Sequence, residues 1–175
     1  MKRNLFAILI LLPLLTSCGA LSELTKVPMP LTQTITIPAI PIAGAMPSIT
    51  TPDIKVNIDS VLTSSGMSKN LIQSIKLSSM DFTLTSPSDK DLSFLSSVKV
   101  SLLYGSAAPI ELASTSSTVS TGTTVMPFTV KDVDLKDYLS KFNLKVTGTT
   151  NKPTTVPYTV TLNMKLIIDL NILGL

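Results

Sequence analysis

The chain has 175 residues, with 14 basic and 11 acidic side chains, one Cys, and neither His nor Trp. Without His, the usual general base, metal ligand and catalytic-triad partner is missing, and a single Cys excludes an intramolecular disulfide. The net charge of +3 is spread along the chain without a basic stripe interleaved with aromatic residues, so we expect no nucleic-acid partner.

The first predicted element is an export signal over residues 1–17. Lys2 and Arg3 precede an apolar run from Leu5 to Leu15, and small residues follow the run, which is the order of a secretory signal peptide. The run is too short to span a bilayer, which takes about 20 apolar residues. We therefore expect the mature chain to begin near residue 18.

The tetrapeptide Leu15-Thr16-Ser17-Cys18 closes this segment with an aliphatic residue, two small residues and the only Cys of the chain. It resembles the lipobox of bacterial lipoproteins. The resemblance covers residues 1–18 and implies three modifications: a diacylglyceryl group on the Cys18 thiol, cleavage before Cys18, and acylation of the new amino terminus. Two or three acyl chains anchor a protein durably, where one chain holds it only marginally.

The alternative for Cys18 is a chance cysteine beside an ordinary secretory cleavage site. A lone Cys in an exported protein needs a role of its own, and lipidation supplies one. Gly19, rather than an aspartate, follows Cys18. In the lipoprotein family this implies passage to the outer membrane, and both its inner leaflet and the cell surface remain open as locations.

The predicted domain organisation has three parts. Residues 1–17 form the signal, residues 18–32 form the lipidated amino terminus and a flexible tether, and residues 33–175 form one domain. The 158 residues after the signal are enough for a single domain with its own core. Prolines punctuate residues 28–52, so we expect 33–42 to be an edge strand or an arm lying on a sheet.

Alternation of apolar and polar residues predicts most of the chain to be β-strand. A one-residue slip of that alternation at Ser78-Ser79 indicates a β-bulge. The other predicted strands share the same period of two, and they cover residues 54–58, 70–85, 98–104, 110–112, 125–130, 142–146 and 156–172.

Short helices are predicted where a capping residue precedes a brief apolar run. The first predicted helix runs from Asp59 to Gly66. The second is capped by Ser88 with Asp91 and ends at Leu95. The third is capped by Asp134 with Asp137 and ends at about Lys141. Loops are predicted at 113–124, which is almost wholly Ser and Thr, and at 148–153.

The last predicted strand carries the strongest signal in the chain. Nine apolar residues occupy every second position from Val156 to Ile172, a period that no helix tolerates. A straight strand of that length would reach about 50 Å, so either it bends and serves two sheets or one face is covered along its length. Together the elements predict an all-β fold, an antiparallel β-sandwich with a few short capping helices, and the alternative is an elongated curved β-sheet.

Paired carboxylates are the remaining candidates for chemistry. Asp132, Asp134 and Asp137 form one cluster, and Asp89 with Asp91 forms another. A calcium site or a glycosidase acid/base pair would use such residues, but helix capping explains them more simply. We therefore expect no catalytic residue, no metal and no cofactor site, and only Cys18 as a modified residue.

Two further stretches carry alternatives. The hydroxyl-rich run 113–124 could be a membrane-inserting hairpin, but it lacks an apolar face, so a solvated loop is expected. Ile167 and Leu173 place apolar groups on both faces of the last strand, which indicates either a strand buried on both sides or an open seam for an acyl chain or a partner's strand.

Three functional hypotheses follow from these observations. The first is a lipid-anchored, non-catalytic envelope module that binds a protein or glycan partner at the outer membrane. The second is a carrier that shields a lipid or another apolar ligand along the sheet. The third is a carboxylate-dependent hydrolase, which would need Asp132, Asp134 or Asp89 in a cleft.

Overall fold

The computed structural model describes residues 25–116, 119–138 and 141–171. The predicted signal and the lipobox with Cys18 lie outside the described residues. Within these ranges the chain forms one helix, α1 (Ile58–Ser64), a short 3-10 helix (Lys69–Leu71) and nine strands. The strands are β1 (Lys26–Ile37), β2 (Gly44–Thr50), β3 (Ile72–Ser86), β4 (Leu95–Leu103), β5 (Ile110–Thr115), β6 (Val125–Pro127), β7 (Thr129–Val130), β8 (Asn143–Thr150) and β9 (Tyr158–Leu170).

The strands form two sheets, which we name the front sheet and the back sheet. The front sheet has the order β1-β9-β3-β6, and the back sheet has the order β2-β8-β4-β5-β7. Every neighbouring pair is antiparallel. The predicted antiparallel β-sandwich is therefore confirmed.

The core lies between the two sheets because alternate side chains of each strand point inward. Along β9 the even-numbered residues are buried and the odd-numbered ones are partly or fully exposed. The buried side chains of both sheets belong to one apolar cluster. Within it, the ring centroids of Phe82 and Phe128 lie 5.0 Å apart with an edge-on geometry, and those of Phe94 and Tyr158 lie 4.4 Å apart.

The last strand, β9, is central to the front sheet. It pairs with β1 along one edge and with β3 along the other. An open seam is therefore excluded along Tyr158–Leu170, whose two edges are both occupied, and Leu173 lies outside the described residues. The strand does not bend into a second sheet; it stays in the front sheet for all 13 of its residues.

The predicted bulge in the third strand is present. The register between β3 and β9 shifts between Leu77 and Ser79, where the alternation slipped in the sequence. The inward-facing set changes phase there, from Ile75 and Leu77 to Met80 and Phe82, and all four are buried. The bulge therefore keeps both halves of a 15-residue strand facing the same core.

The segment 125–135 closes one side of the sandwich by crossing between the sheets. The strand predicted at 125–130 is two strands: β6 pairs with β3 of the front sheet, and β7 pairs with β5 of the back sheet. Pro127 ends β6, and the Phe128 side chain enters the core between the two strands. The chain then returns to the front sheet, where the Leu135 N–H donates to the Ile75 carbonyl over 2.7 Å.

The two ends of the sandwich differ. At the proximal end β1 begins and β9 finishes, since Lys26 pairs with Asp169. At the distal end Ile37 pairs with Tyr158. The proximal end is therefore the end that continues into the amino-terminal residues of the chain.

Three linkers between strands meet at the distal end. The β1–β2 and β8–β9 linkers exchange backbone hydrogen bonds between Ile40 and Thr154, at 3.1 and 2.7 Å. The β3–β4 linker joins them through Phe94, whose carbonyl accepts from the Asn151 N–H. Ile42 stands on the first of these linkers with 79 % of its surface exposed, and Val156 is exposed on the β8–β9 linker.

Strand β1 is an edge strand, as predicted, but it begins earlier than expected. The domain was expected to start at residue 33, after a flexible tether, whereas β1 starts at Lys26. Residues 26–32 therefore belong to the front sheet. The prolines that suggested a tether are compatible with a strand because they lie on its open edge.

Pro28 and Pro30 face the open edge of β1. The Leu170 N–H donates to the Thr25 carbonyl over 2.9 Å, so the odd-numbered backbone groups at this end point toward β9. Even-numbered groups, including both proline nitrogens, point away from the sheet, where a missing N–H costs no ladder hydrogen bond. The prolines also remove donors that a foreign strand would need for pairing.

The predicted helices are only partly correct. A seven-residue helix exists near Asp59, but its N-cap is Asn57, whose side chain accepts from the Ser60 N–H over 3.1 Å. The strand predicted at 54–58 is a single bridge between Ile54 and Phe142, because the helix already begins at Ile58.

The other two predicted helices are wrong within the described residues. Residues 88–94 form turns, and residues 134–138 form a bridge and a turn. In the part of the chain that the structure describes, no helix has the length and apolar character to cross a membrane. Two strand boundaries also move: β8 includes Gly148–Thr150, predicted as loop, and β5 extends into the Ser/Thr run as far as Thr115.

Candidate functional site

The acidic cluster at 132–137 ties loops to strands. Asp134 Oδ1 accepts from the backbone N–H groups of Ile75 and Lys136, both at 3.0 Å. Burial raises the pKa of Asp134, but these two donors outweigh it and hold the pKa below its usual value. Asp132 forms an ion pair with Lys76 at 2.7 Å. These carboxylates therefore stabilise the edge of β3, although the described residues up to 138 form no helix for them to cap.

The second acidic pair behaves in the same way. The Asp91 carboxylate accepts from the Ser93 hydroxyl, the Gly122 N–H and the Ser93 N–H, and these three bonds lower its pKa to about 2. Within the described part of the chain, Asp89 forms an exposed ion pair with the neighbouring Lys90 at 3.2 Å. Asp91 therefore joins the β3–β4 linker to the segment that follows β5, at the distal end.

Ser93 and Lys152 form a pair that the sequence did not indicate. Lys152 Nζ donates to Ser93 Oγ over 2.7 Å, a contact that Ser–Lys hydrolases also use. Here Ser93 is only 5 % exposed, and its hydroxyl proton is donated to Asp91. The hydroxyl is thus neither accessible nor free to attack, so the cluster joins two linkers rather than forming a nucleophilic site.

The hydroxyl-rich run 113–124 is divided between strand and linker. Ala113 is fully buried in β5, and Gly122 and Thr123 are hydrogen-bonded to the β3–β4 linker. The Leu92 N–H donates to the Thr123 carbonyl over 2.8 Å. Residues 117–118 lie outside the described residues.

A shallow cup of about 460 Å³ lies on the outer face of the back sheet. Its charged and polar groups bond one another: Glu111 accepts from Lys99 at 3.1 Å and from Ser114 at 3.1 Å, and the Ser97 and Thr149 hydroxyls lie 2.7 Å apart. The Lys99 contact lowers the pKa of Glu111. The cup therefore offers few unpaired groups to a ligand.

A second groove of about 460 Å³ lies on the outer face of the front sheet, and we name it the front groove. It crosses β1, β9 and β3, whose outward-facing residues lie side by side in the order Thr32, Asn163, Asp81. Its apolar wall includes Pro28, Pro30 and Leu31, and its polar groups include Asp81, Asn163 and Lys165.

Hydrogen bonds hold the polar side of the front groove rigid. Asn163 Nδ2 donates to Asp81 Oδ1 over 2.7 Å and to Thr83 Oγ1 over 3.0 Å. Thr83 Oγ1 donates in turn to Asp81 Oδ1 over 3.1 Å. Asp81 Oδ2 and Asn163 Oδ1 make no hydrogen bond within the described residues, so both remain available as acceptors.

Rows of threonine continue the outer face toward the distal end, and we name them the threonine rows. Thr34, Thr161 and Thr83 lie side by side on β1, β9 and β3. In the next row Thr36 lies beside Thr159, and the Thr85 hydroxyl donates to the Thr159 carbonyl over 2.9 Å. Neighbouring strands are about 4.8 Å apart and same-face residues on a strand about 7 Å apart.

The front groove and the threonine rows were not predicted as a site. The available signal was a Thr-x-Thr repeat at 34–36, 83–85 and 159–161. Each repeat alone is ordinary for a strand with one solvated face. Only the register of β1, β9 and β3 places the three repeats on one surface.

The described residues hold no group of three or more Asp, Glu, His or Cys side chains that could bind a metal ion. Every buried side-chain nitrogen or oxygen in those residues has a hydrogen-bond partner. The polar groups that remain for a ligand are therefore those on the outer faces.

Comparison with known proteins finds distant structural matches, two of which are viral. No protein-family model matches the chain, and no curated protein matches it. The VP2 subviral particle of infectious bursal disease virus aligns with 81 % of this chain at 11 % identity and a TM-score of 0.42, and this chain spans 33 % of the viral chain. The structure of turnip yellow mosaic virus aligns with 81 % of this chain and 93 % of the viral chain, at 16 % identity and a TM-score of 0.28. Because both TM-scores lie below 0.5, no property of either viral protein is carried over.

Proposed function

We propose that the protein is a lipid-anchored, non-catalytic β-sandwich module of the bacterial cell envelope. Acyl chains on Cys18 attach it to the outer membrane, and its folded domain binds a partner there. The proposal rests on the lipobox-like sequence together with one structural observation, the position at which the sheet begins.

That observation is the start of β1 at Lys26. Thr25 is already bonded to the sheet, since its carbonyl accepts from the Leu170 N–H. Six residues lie between Cys18 and Thr25, so their Cα atoms are seven steps apart. Seven extended steps reach at most about 25 Å. An anchor at Cys18 would therefore hold the proximal end near the membrane and leave the distal end directed away from it.

The distal end has features suited to contact with a partner. Its linkers are fixed to one another by backbone bonds, and they expose the apolar side chains of Ile42 and Val156. Rigid linkers lose less conformational entropy on binding than mobile ones. The threonine rows lie on the same half of the front sheet.

A non-catalytic role is supported by how the acidic residues are used. Asp91 and Asp134 accept from backbone N–H groups and Asp132 pairs with Lys76, so each acts as a structural tie. The carrier hypothesis receives less support. The cup and the front groove, each of about 460 Å³, lie on outer faces of the sandwich, and β9 has no open edge along Tyr158–Leu170.

The test is membrane fractionation of the full-length protein expressed in a Gram-negative host. We expect the unmodified sequence in the outer-membrane fraction, extractable only with detergent, and Cys18→Ser in a soluble fraction. Ser17→Ala is the matched control, since it keeps a small residue before Cys18 and should remain in the membrane. Equal membrane retention of Cys18→Ser would contradict the proposed anchor.

A further inference from the structure

The front groove presents two hydrogen-bond acceptors at fixed positions. Both hydrogens of Asn163 Nδ2 are used within the sheet, and Asp81 Oδ1 already accepts two bonds. What remains is Asp81 Oδ2 and Asn163 Oδ1, on side chains that are hydrogen-bonded to each other across neighbouring strands. Two acceptors on such a pair of side chains suit a ligand that donates two hydrogen bonds from neighbouring atoms.

Neighbouring hydroxyl groups of a sugar ring are such donors. A phosphate, sulfate or carboxylate group offers acceptors only, and the Asp81 carboxylate would repel it. The charged side chains of the groove are Asp81 and Lys165, so the groove carries no net charge. This balance favours a neutral hydroxylated ligand over a polyanion.

The groove also has an apolar wall for the C–H groups of a sugar ring. Pro28 and Pro30 are exposed on β1, and they lie opposite Ile167 and Lys165 of β9. Proline rings are rigid, so contact with them costs little conformational entropy. The chain has no Trp, and this wall supplies the apolar surface that a stacking aromatic ring would otherwise provide.

The threonine rows extend the surface beyond a single sugar. The Oγ1 atoms of Thr34, Thr36 and Thr161 make no hydrogen bond within the described residues, and a hydroxyl can both donate and accept. From Lys165 to Thr159 along β9 the surface is about 20 Å long, enough for several sugar rings. It is continuous because all of these residues face outward on the front sheet.

We infer that the front groove and the threonine rows bind a neutral linear glycan. Asp81 and Asn163 accept hydrogen bonds from neighbouring hydroxyls of one sugar, Pro28 and Pro30 contact its C–H face, and the following sugars lie over the threonine rows. The inference deepens the proposed function by naming the partner class, and it rests on that proposal only for its location in the envelope.

The test uses the mature chain with Cys18→Ser, so that binding is measured without the anchor. Three probes are titrated by calorimetry and by amide chemical shifts: hexasaccharides of β-1,4-linked glucose, β-1,3-linked glucose and β-1,4-linked N-acetylglucosamine. We expect saturable binding of at least one probe, with shifts on the front sheet. Dextran sulfate should not compete with it.

Three substitutions separate the site from general effects on folding. Asp81→Asn keeps the shape of the side chain but replaces the free carboxylate oxygen, and we expect at least a tenfold weaker Kd. Thr161→Val removes a hydroxyl that makes no hydrogen bond within the described residues, and it should weaken binding severalfold. Thr147→Val is the matched control on the outer face of β8 and should leave Kd unchanged.

Failure of all three probes to bind saturably would overturn the inference. So would equal binding by the wild-type chain, Asp81→Asn and Thr161→Val, or a Thr147→Val loss as large as that of Thr161→Val. A photo-crosslinker at position 161 that captures a protein, with no glycan bound, would assign this face to a protein partner instead. None of these results bears on the anchor, which the fractionation of Cys18→Ser tests separately.

Discussion

Asn163 Nδ2 lies 2.7 Å from Asp81 Oδ1, so a side-chain hydrogen bond joins β9 to β3 across the middle of the front face. The two residues are directly opposite in the register of the sheet. The bond supplements the backbone ladder, and it also fixes which polar atoms of the front groove remain free.

Substitution of Asn163 tests this bond. Asn163→Ala should lower the free energy of unfolding by about 1 kcal/mol, the usual net value of such a bond, as measured by urea denaturation. Asn163→Asp should cost more, because it sets a second carboxylate against Asp81, and 1 M NaCl should recover part of that loss by screening. Equal stability of Asn163→Asp and the wild type would contradict the geometry.

Gly148 is required by a close approach between β8 and β4. A Cβ atom at this position would lie 2.3 Å from the Ser97 carbonyl oxygen, beside the bulge where the β4–β8 register shifts. Gly148→Ala should therefore destabilise the protein by about 1 to 3 kcal/mol. Thr147→Ala on the same strand is the control, with an expected change within about 0.5 kcal/mol. Similar unfolding midpoints in urea for both variants would exclude the clash.

Asp91 should make the distal end sensitive to acid. Its pKa in the folded protein is about 2, against a usual value of 3.8, because it accepts from Ser93 and the Gly122 N–H. A lowered pKa means that the stabilisation is fully present above pH 3.8 and is lost as the pH falls through about 2.

The measurement is the free energy of unfolding in urea between pH 1.5 and pH 5. Asp91→Asn should be less stable at pH 5 and should show a shallower loss on acidification than the wild type. Asp89→Asn is the control, since the one ion pair of Asp89 within the described residues is exposed and formed with the adjacent Lys90, and its curve should follow the wild type. An unchanged slope for Asp91→Asn would contradict the role given to this carboxylate.

The prolines of β1 should keep its open edge from pairing with other chains. Replacing Pro28 and Pro30 together by Thr restores two N–H donors that point away from β9, at the open edge of the front sheet. We expect the double variant to form larger species than the wild type in size-exclusion chromatography with light scattering. Pro38→Thr with Pro41→Thr, in the β1–β2 linker, should not. A double variant of wild-type mass would show that the prolines have no such role.

The strand pattern was predictable because one face of each sheet is buried. The period of two in β9 and its slip in β3 are direct records of which side chains face the core. The start of β1 was not predicted because Pro28 and Pro30 are typical of a flexible tether. The sequence alone does not indicate which edge of a strand is left unpaired. That information comes from the pairing with β9.

The helix predictions failed for a different reason. An aspartate before an apolar run has the same local pattern whether it caps a helix or accepts bonds in a turn. At Asp91 the deciding partner is Gly122, which is 31 residues away. At Asp134 it is Ile75, which is 59 residues away. Contacts at these separations are invisible to local patterns.

The candidate site was hidden for the same reason. Thr34, Thr83 and Thr161 are far apart in sequence and become neighbours only through the register of three strands. The lipobox-like sequence, by contrast, is contiguous in the chain. Its interpretation depends only on the modification of Cys18 and not on which strands pair.

The most direct test of the account is the mass of the amino-terminal peptide from protein purified out of membranes. We predict a peptide that begins at Cys18 and carries a diacylglyceryl group on sulfur and an acyl group on nitrogen. A peptide that begins elsewhere, or one that begins at Cys18 without lipid, would contradict the proposed anchoring.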